Sequence, residues 1–355
     1  MNSESNDIKD SCAILILLGG NMEAEKKYFS TSEWLECEAE DVGMDSHILA
    51  EADKEIRNRY KRINSMLVIK NGLIVFEKYY NGFSMHDLHE TMSVTKSFIS
   101  TLIGIAIDKK YIESTKQRVI DFFPEYASAD IDYFYEELTI EHLLTMTSGI
   151  YWQDGTKSSE QMCDRMNRSN DWIKFILSLP IQPEMIGEFR YSSANSHLLS
   201  AIITKATKIN AKSFAKLHLF DEIGIKEYKW REDPQGNSEG SSWLALKPRD
   251  QARFGCLFLN NGCFNNKSVI SEQWVSAATS TKNDGNEFGQ YGYQWWIKSV
   301  NDYKVYFAAG FGGQYILIVP KLEIVVVIAS NIGNIQSRSK DPVYILDKYI
   351  IPSVK

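Results

Sequence analysis

No C-x-x-C pair and no H-E-x-x-H motif occurs in the 355 residues. These are the common zinc-binding patterns, so no metal centre is expected. Cysteine is scarce and odd in number (Cys12, Cys37, Cys163, Cys256 and Cys263), which speaks against a disulfide framework. The six histidines, His47, His86, His89, His142, His197 and His218, are scattered. Only His86 and His89 have a spacing that shares a helix face, and two surface histidines are the plainer reading. Long basic runs are missing too. With 39 basic and 46 acidic residues the net charge is −7, so nucleic acid is not an expected partner. Internal repeats and low-complexity segments are absent. The apolar run "CAILILLGG" near the start is too short to span a membrane. Acidic residues precede it, unlike the basic ones of a secretory signal. The expectation is a cytoplasmic protein with no cofactor and no membrane partner, in which residues 1–25 form a leader.

What is present is enough apolar sequence for a large core: 44% of residues are hydrophobic and 24% charged, the balance of a soluble globular chain. "INSMLVIKNGLIVFEKYY" is two β-rich runs joined by Asn71-Gly72, a dipeptide that takes the positive φ angles of a tight hairpin. The middle of the chain reads helical. Thr139 is placed to cap a helix carrying Leu143 and Leu144. "NDWIKFILSLP" stops at a proline, "SANSHLLSAIITKATK" is amphipathic, and "KPRDQARFGCLFLNNG" runs from Pro248 to Asn261-Gly262. The last third is β-rich again, in "YGYQWWIKSV", "YKVYFAAG", "GQYILIVP" and "LEIVVVIAS". Asp341-Pro342 then precedes a final helix, "VYILDKYII". Strands at both ends around a helical middle predict an α/β (α+β) domain over residues 26–355. It has one antiparallel sheet built from both ends and flanked by helices, with a helical subdomain inserted at roughly 110–285.

Two serine motifs compete for attention. "GNSEG" at 236–240 fits G-x-S-x-G, but a nucleophile elbow needs a buried strand before it, a helix after it, and a later histidine. This stretch is polar and no histidine follows His218, so it is set aside. S-x-x-K occurs three times, at Ser93, Ser213 and Ser337. Ser337 lies in polar sequence, and Ser213 starts an ordinary surface helix. Only Ser93 opens a strongly apolar helix, where Phe98, Ile99, Leu102, Ile103, Ile105 and Ala106 recur at helical spacing. Residues three apart share a helix face, so Lys96 can reach the Ser93 hydroxyl. A serine hydroxyl needs a base to become a nucleophile. A lysine amine serves only when neutral, a state favoured by burial and by the positive end of a helix.

Two further pieces are weaker alone. Tyr191 and Ser193 stand just before an amphipathic helix, and a tyrosine hydroxyl there can pass a proton to a leaving group. A core tyrosine at a helix start reads the same way, and Y-x-S or Y-x-N recurs at Tyr28, Tyr79 and Tyr126. Gly310, Gly312 and Gly313 in "AAGFGGQYILIVP" precede a strand rather than a helix, so they form no phosphate loop. They either let backbone N–H groups approach a ligand or make a tight bend.

Taken in order, these segments resemble the serine β-lactamase and penicillin-binding-protein superfamily, in its class C β-lactamase-like branch with carboxylesterases and 6-aminohexanoate-dimer hydrolases. Ser93-Val94-Thr95-Lys96 is similar to S-x-x-K. Tyr191-Ser192-Ser193 is similar to Y-x-N, with serine for asparagine and Asn195 two residues on. "LLTMTSGI" at 143–150, "NGLIVFEKYY", "LKPRDQARFG" and "YGYQWW" also resemble family segments. The likeness runs from about residue 60 to 330. It implies the β-lactamase/D,D-peptidase-like fold and an acyl-enzyme mechanism, with Ser93 as nucleophile, Lys96 as base and Tyr191 as proton relay. The oxyanion hole would come from the backbone N–H groups of Ser93 and Gln314. The position of the family's K-T-G or H-x-G motif holds Phe311-Gly312-Gly313, without a cation. That departure favours a small-molecule ester or amide lacking a carboxylate. A β-lactamase, a D,D-peptidase and a non-catalytic protein keeping the fold stay open as alternatives. Substrate contacts are expected from Tyr151, Trp152, Ser193, Phe311, Gly312 and Gly313. Trp295 and Trp296 are further wall candidates, and plain core packing is equally open for the aromatic ones.

Overall fold

The two β-rich ends of the chain pair with each other. The computed structural model describes residues 33–126, 132–153, 162–332 and 343–355. The expectations for the leader, "CAILILLGG", Ser337 and Asp341-Pro342 fall outside the described residues.

The main sheet has eight antiparallel strands, numbered here in chain order. They are β1 (Ile63–Lys70), β2 (Leu73–Tyr79), β3 (Asn283–Asn286), β4 (Gly289–Tyr291), β5 (Trp296–Val300), β6 (Tyr303–Gly310), β7 (Gln314–Val319) and β8 (Ile324–Ser330). In space the order is β3-β4-β5-β6-β7-β8-β1-β2. N-terminal β1 therefore lies against C-terminal β8, with Val68 opposite Val326 and Leu67 opposite Val327. The Asn71-Gly72 turn joins β1 to β2 with φ of 54° and 85°. Both are positive, as the twist of a two-residue hairpin requires.

β1 and β8 are apolar on both faces because both faces are covered. Leu67, Ile69, Val325 and Val327 join one core cluster, and Met66, Val68, Val326 and Ile328 join the other. The second face is covered by α1 (Ser46–Arg59) through Leu49 and Ile56, and by the C-terminal helical stretch 343–350 through Ile345 and Ile350. The first face takes α2 (Thr95–Asp108) and α4 (Pro248–Leu259). Phe98 of α2 stacks on Phe254 of α4 at 3.7 Å.

The chain leaves the sheet between β2 and β3 for a mostly helical stretch, which differs from the expected helical middle in also holding three small antiparallel sheets among the described residues. Thr139 caps the short helix Ile140–Leu144 in a reciprocal box with His142. Asp171 caps Trp172–Leu177. The longest helix here is α3 (Ser193–Thr207). Helix α4 begins with Pro248 and is followed by the turn at Asn261-Gly262. His86 and His89 do not lie on a helix. His89 is on a short strand and buried against Phe83, so the surface reading holds only for His86. Burial lowers the His89 pKa. Among the described residues no helix is long and apolar enough to cross a membrane.

Helix α2 is enclosed: every residue from Thr95 to Ala106 is buried. A Cβ on Gly104 would sit 2.5 Å from the ring of Trp274. Gly104→Ala is therefore expected to destabilise the fold by about 1–3 kcal/mol through overpacking. A fall in the urea midpoint at unchanged m-value would report it. An unchanged midpoint would mean that Trp274 gives way freely.

Candidate active site

Ser93 occupies a 3-10 turn, Met92–Val94, that runs straight into α2. The turn is pinned from both sides. Thr91 donates to the Leu244 carbonyl through its N–H at 2.8 Å and its hydroxyl at 2.9 Å. On the other side, the end of β6 presses in so closely that a Cβ on Gly310 would lie 2.4 Å from the Thr91 carbonyl. Gly310 thus permits the contact between the sheet and the serine's turn. Met92, just before the serine, has φ of 49°, an arrangement that costs a non-glycine residue about 1–2 kcal/mol. Local sequence does not favour this turn; the flanking contacts impose it.

Lys96 lies one turn into the buried part of α2 and is 1% exposed. Its Nζ donates to Ser93 Oγ at 3.1 Å and to the Ser241 carbonyl at 2.9 Å, and sits 5.0 Å from the centre of the Tyr191 ring. Among the described residues it has no carboxylate ion-pair partner. Nothing in the sequence marks Ser241, because its contribution is a backbone carbonyl.

Tyr191 is set by the segment "LLTMTSGI" and by the sheet. The Arg190 N–H donates to the Met146 carbonyl at 2.8 Å, and the Ser192 N–H points to Met146 Sδ at 3.4 Å. The ring stacks on Trp296 at 5.8 Å and meets the edge of Tyr291 at 6.3 Å. Tyr291 is wholly buried, and burial raises its phenol pKa well above the ordinary value. Tyr191 is only half-buried. Trp296 is thereby a support for Tyr191.

Ser193 is the first residue of α3 and largely buried. Asn195 is no substitute for the missing family asparagine. It is fully buried, and its Oδ1 accepts from Ser148 Oγ at 2.8 Å. Phe311 projects from the β6–β7 hairpin with 58% exposure. Gly312 and Gly313, at φ of 85° and 97°, make the turn itself. The Gln314 side chain is occupied elsewhere, bonding the Ser330 carbonyl at 2.7 Å and the Ser330 N–H at 3.0 Å. Only its backbone faces the hairpin register, opposite Gly310. Tyr151 is half-buried and its N–H donates to the Pro180 carbonyl at 2.9 Å, whereas Trp152 is buried in the core. Trp295 is not a wall residue: it is fully buried between Phe254, Phe258 and Tyr306. Ser238 of "GNSEG" is also fully buried, with its Oγ accepting from the Lys212 N–H at 2.8 Å, so it is no nucleophile elbow.

The Beta-lactamase family model matches residues 53–350. The chain belongs to the Beta-lactamase family. A relative in this family, the 6-aminohexanoate-dimer hydrolase of Paenarthrobacter ureafaciens, is 25% identical over 301 residues, covering 79% of this chain and 75% of its own. Solved structures share the fold. The octameric penicillin-binding protein homologue from Pyrococcus abyssi has a TM-score of 0.66 at 19% identity, covering 86% of this chain and 76% of that one. A family VIII carboxylesterase has a TM-score of 0.68 at 15% identity, covering 86% and 96%.

Proposed function

We propose that this Beta-lactamase family chain is a serine hydrolase that cleaves a small carboxylic ester or amide through an acyl-enzyme. The observation that carries the reading is the 3.1 Å bond from buried Lys96 Nζ to Ser93 Oγ. Ser93 Oγ attacks the substrate carbonyl carbon and its proton passes to Lys96. The bond to the leaving oxygen or nitrogen breaks, and that atom takes a proton relayed through Tyr191. Water then attacks the acyl carbon, the ester to Ser93 breaks, and the serine regains its proton. The negative oxygen formed in each half is met by the N–H groups of Ser93 and Gln314; one such donor is typically worth ~10²–10³ in rate. Ser93 supports this role by position, since N–H groups in a helix's first turn lack intrahelical acceptors.

The substrate class rests on what the β6–β7 hairpin offers. Residues Gly310 to Gln314 bring no cation to the site, and the Gln314 amide is bound to Ser330. A substrate carboxylate has no partner there, which supports an ester or amide lacking one. The name of the 6-aminohexanoate-dimer hydrolase relative supports hydrolysis.

A fluorophosphonate probe tests the reading. Intact mass and peptide mapping are expected to show a single adduct on Ser93. A folded, unlabelled protein would turn the reading toward a binding role. A panel of esters, amides and β-lactams then ranks substrates, and β-lactams turned over ahead of the esters would shift the assignment to a β-lactamase.

A further inference from the structure

The rejected "GNSEG" stretch touches the site by another route. Its loop leans on Asp233, whose carboxylate accepts from the N–H groups of Gln235 at 2.9 Å and Asn237 at 2.8 Å, and from the Asn237 amide at 2.9 Å. His197 of α3 bonds the same carboxylate through Nε2 at 3.0 Å, and its Nδ1 accepts from the Gly240 N–H at 3.3 Å. Burial would raise the Asp233 pKa, but the bonds from His197 and Asn237 outweigh it and hold it below the ordinary value. Gly240 is the point of closest approach: a Cβ there would lie 2.1 Å from the Ser196 carbonyl. The Ser238 carbonyl also accepts from Ser200 Oγ at 2.6 Å. The loop is thus sealed against α3, the helix that begins just after Tyr191.

Glu239 stands between these contacts and Lys96. It is 3% exposed. One carboxylate oxygen accepts from the Ser241 N–H at 3.1 Å and the Ser241 hydroxyl at 2.5 Å. The other accepts from the N–H and the hydroxyl of Ser242, both at 2.8 Å. Four donors from two adjacent residues fix the peptide between them. The carbonyl of that peptide is the one that receives Lys96 Nζ at 2.9 Å. A lysine stem has four rotatable carbons and its ammonium or amine is directed only by its acceptors. Here the acceptors are the nucleophile itself and this carbonyl.

We propose that Glu239 is a positioning residue for the Ser93–Lys96 pair, fixing the Ser241 carbonyl that holds Lys96 Nζ on the serine. The inference rests on the reading of Ser93 as nucleophile and Lys96 as its base. Glu239 touches no reacting atom. Its effect is geometric, and a displacement of about 1 Å near a reacting group can cost ~10²-fold in rate.

The test is the second-order rate constant for labelling of Ser93 by an uncharged fluorophosphonate, in wild type, Glu239→Gln and Glu239→Ala, with final label per folded chain read by intact mass. Glu239→Ala is expected to label roughly 10–100-fold more slowly. Glu239→Gln should fall between, since it keeps an oxygen for the Ser241 donors but turns an amide N–H toward Ser242. All three should still end at one label per folded chain. A purely structural role would lower the final label and leave the rate constant of the folded fraction unchanged, and that result would overturn the proposal. If Glu239→Ala does not fold, Glu239→Gln decides alone: a rate within twofold of wild type counts against it. Wild type without a Ser93 adduct would remove the nucleophile reading and this inference together. Labelled wild type with equal variant rates would remove this inference only.

Discussion

Ser93→Ala is expected to abolish both turnover and the fluorophosphonate adduct while leaving the melting temperature near wild type. The side chain is half-buried and loses one hydrogen bond, that from Lys96, a net effect of about 1 kcal/mol. Lys96 keeps the Ser241 carbonyl as acceptor, so no buried amine is stranded. Catalysis should respond on another scale. Without Oγ there is no acyl-enzyme, and removal of an essential nucleophile lowers kcat by roughly 10⁴–10⁶. Steady-state hydrolysis of an activated ester, beside a melting curve, reads both quantities. A folded Ser93→Ala variant with normal activity would move the chemistry to another residue.

Lys96→Ala should lower the acylation rate by about 10²–10⁴, the usual contribution of a positioned general base. This side chain is enclosed, at 1% exposure, so alanine also leaves a hole and an unmatched Ser241 carbonyl. Lys96→Met fills the volume without an amine, and Lys96→Arg supplies a cation that does not deprotonate. All three are expected to acylate slowly, whatever their stability. Single-turnover acylation, corrected for the folded fraction, makes the comparison. A loss below tenfold, about 1.4 kcal/mol, in the Met variant would show that Lys96 is not the base.

These two residues were legible because their relation is local. Serine and lysine three apart on a helix meet by the helical period alone, and the apolar run behind them announces burial. The Asn71-Gly72 hairpin was legible for the same reason, since two dihedral angles decide it. Tyr191 was weaker, because its pattern recurs where no site exists. Its position became plain only through Met146 and the strand pair of Tyr291 and Trp296, which come from two distant parts of the chain. The wall candidates were the least legible. A buried aromatic such as Trp295 and a site aromatic have one composition, and only packing partners tell them apart.

Short-range pattern therefore decided six of the eight strands of the main sheet, the buried helix, the pairing of Ser93 with Lys96 and the family likeness, but not the strands Asn283–Asn286 and Gly289–Tyr291 at one edge of that sheet. Tertiary packing alone decided what holds that pair in place. The Ser241 carbonyl lies 145 residues from the lysine it receives, and Gly310 is brought against the turn of Ser93 by the sheet. A backbone carbonyl and a glycine's missing Cβ leave no side-chain signal, so their roles exist only once distant segments are packed together.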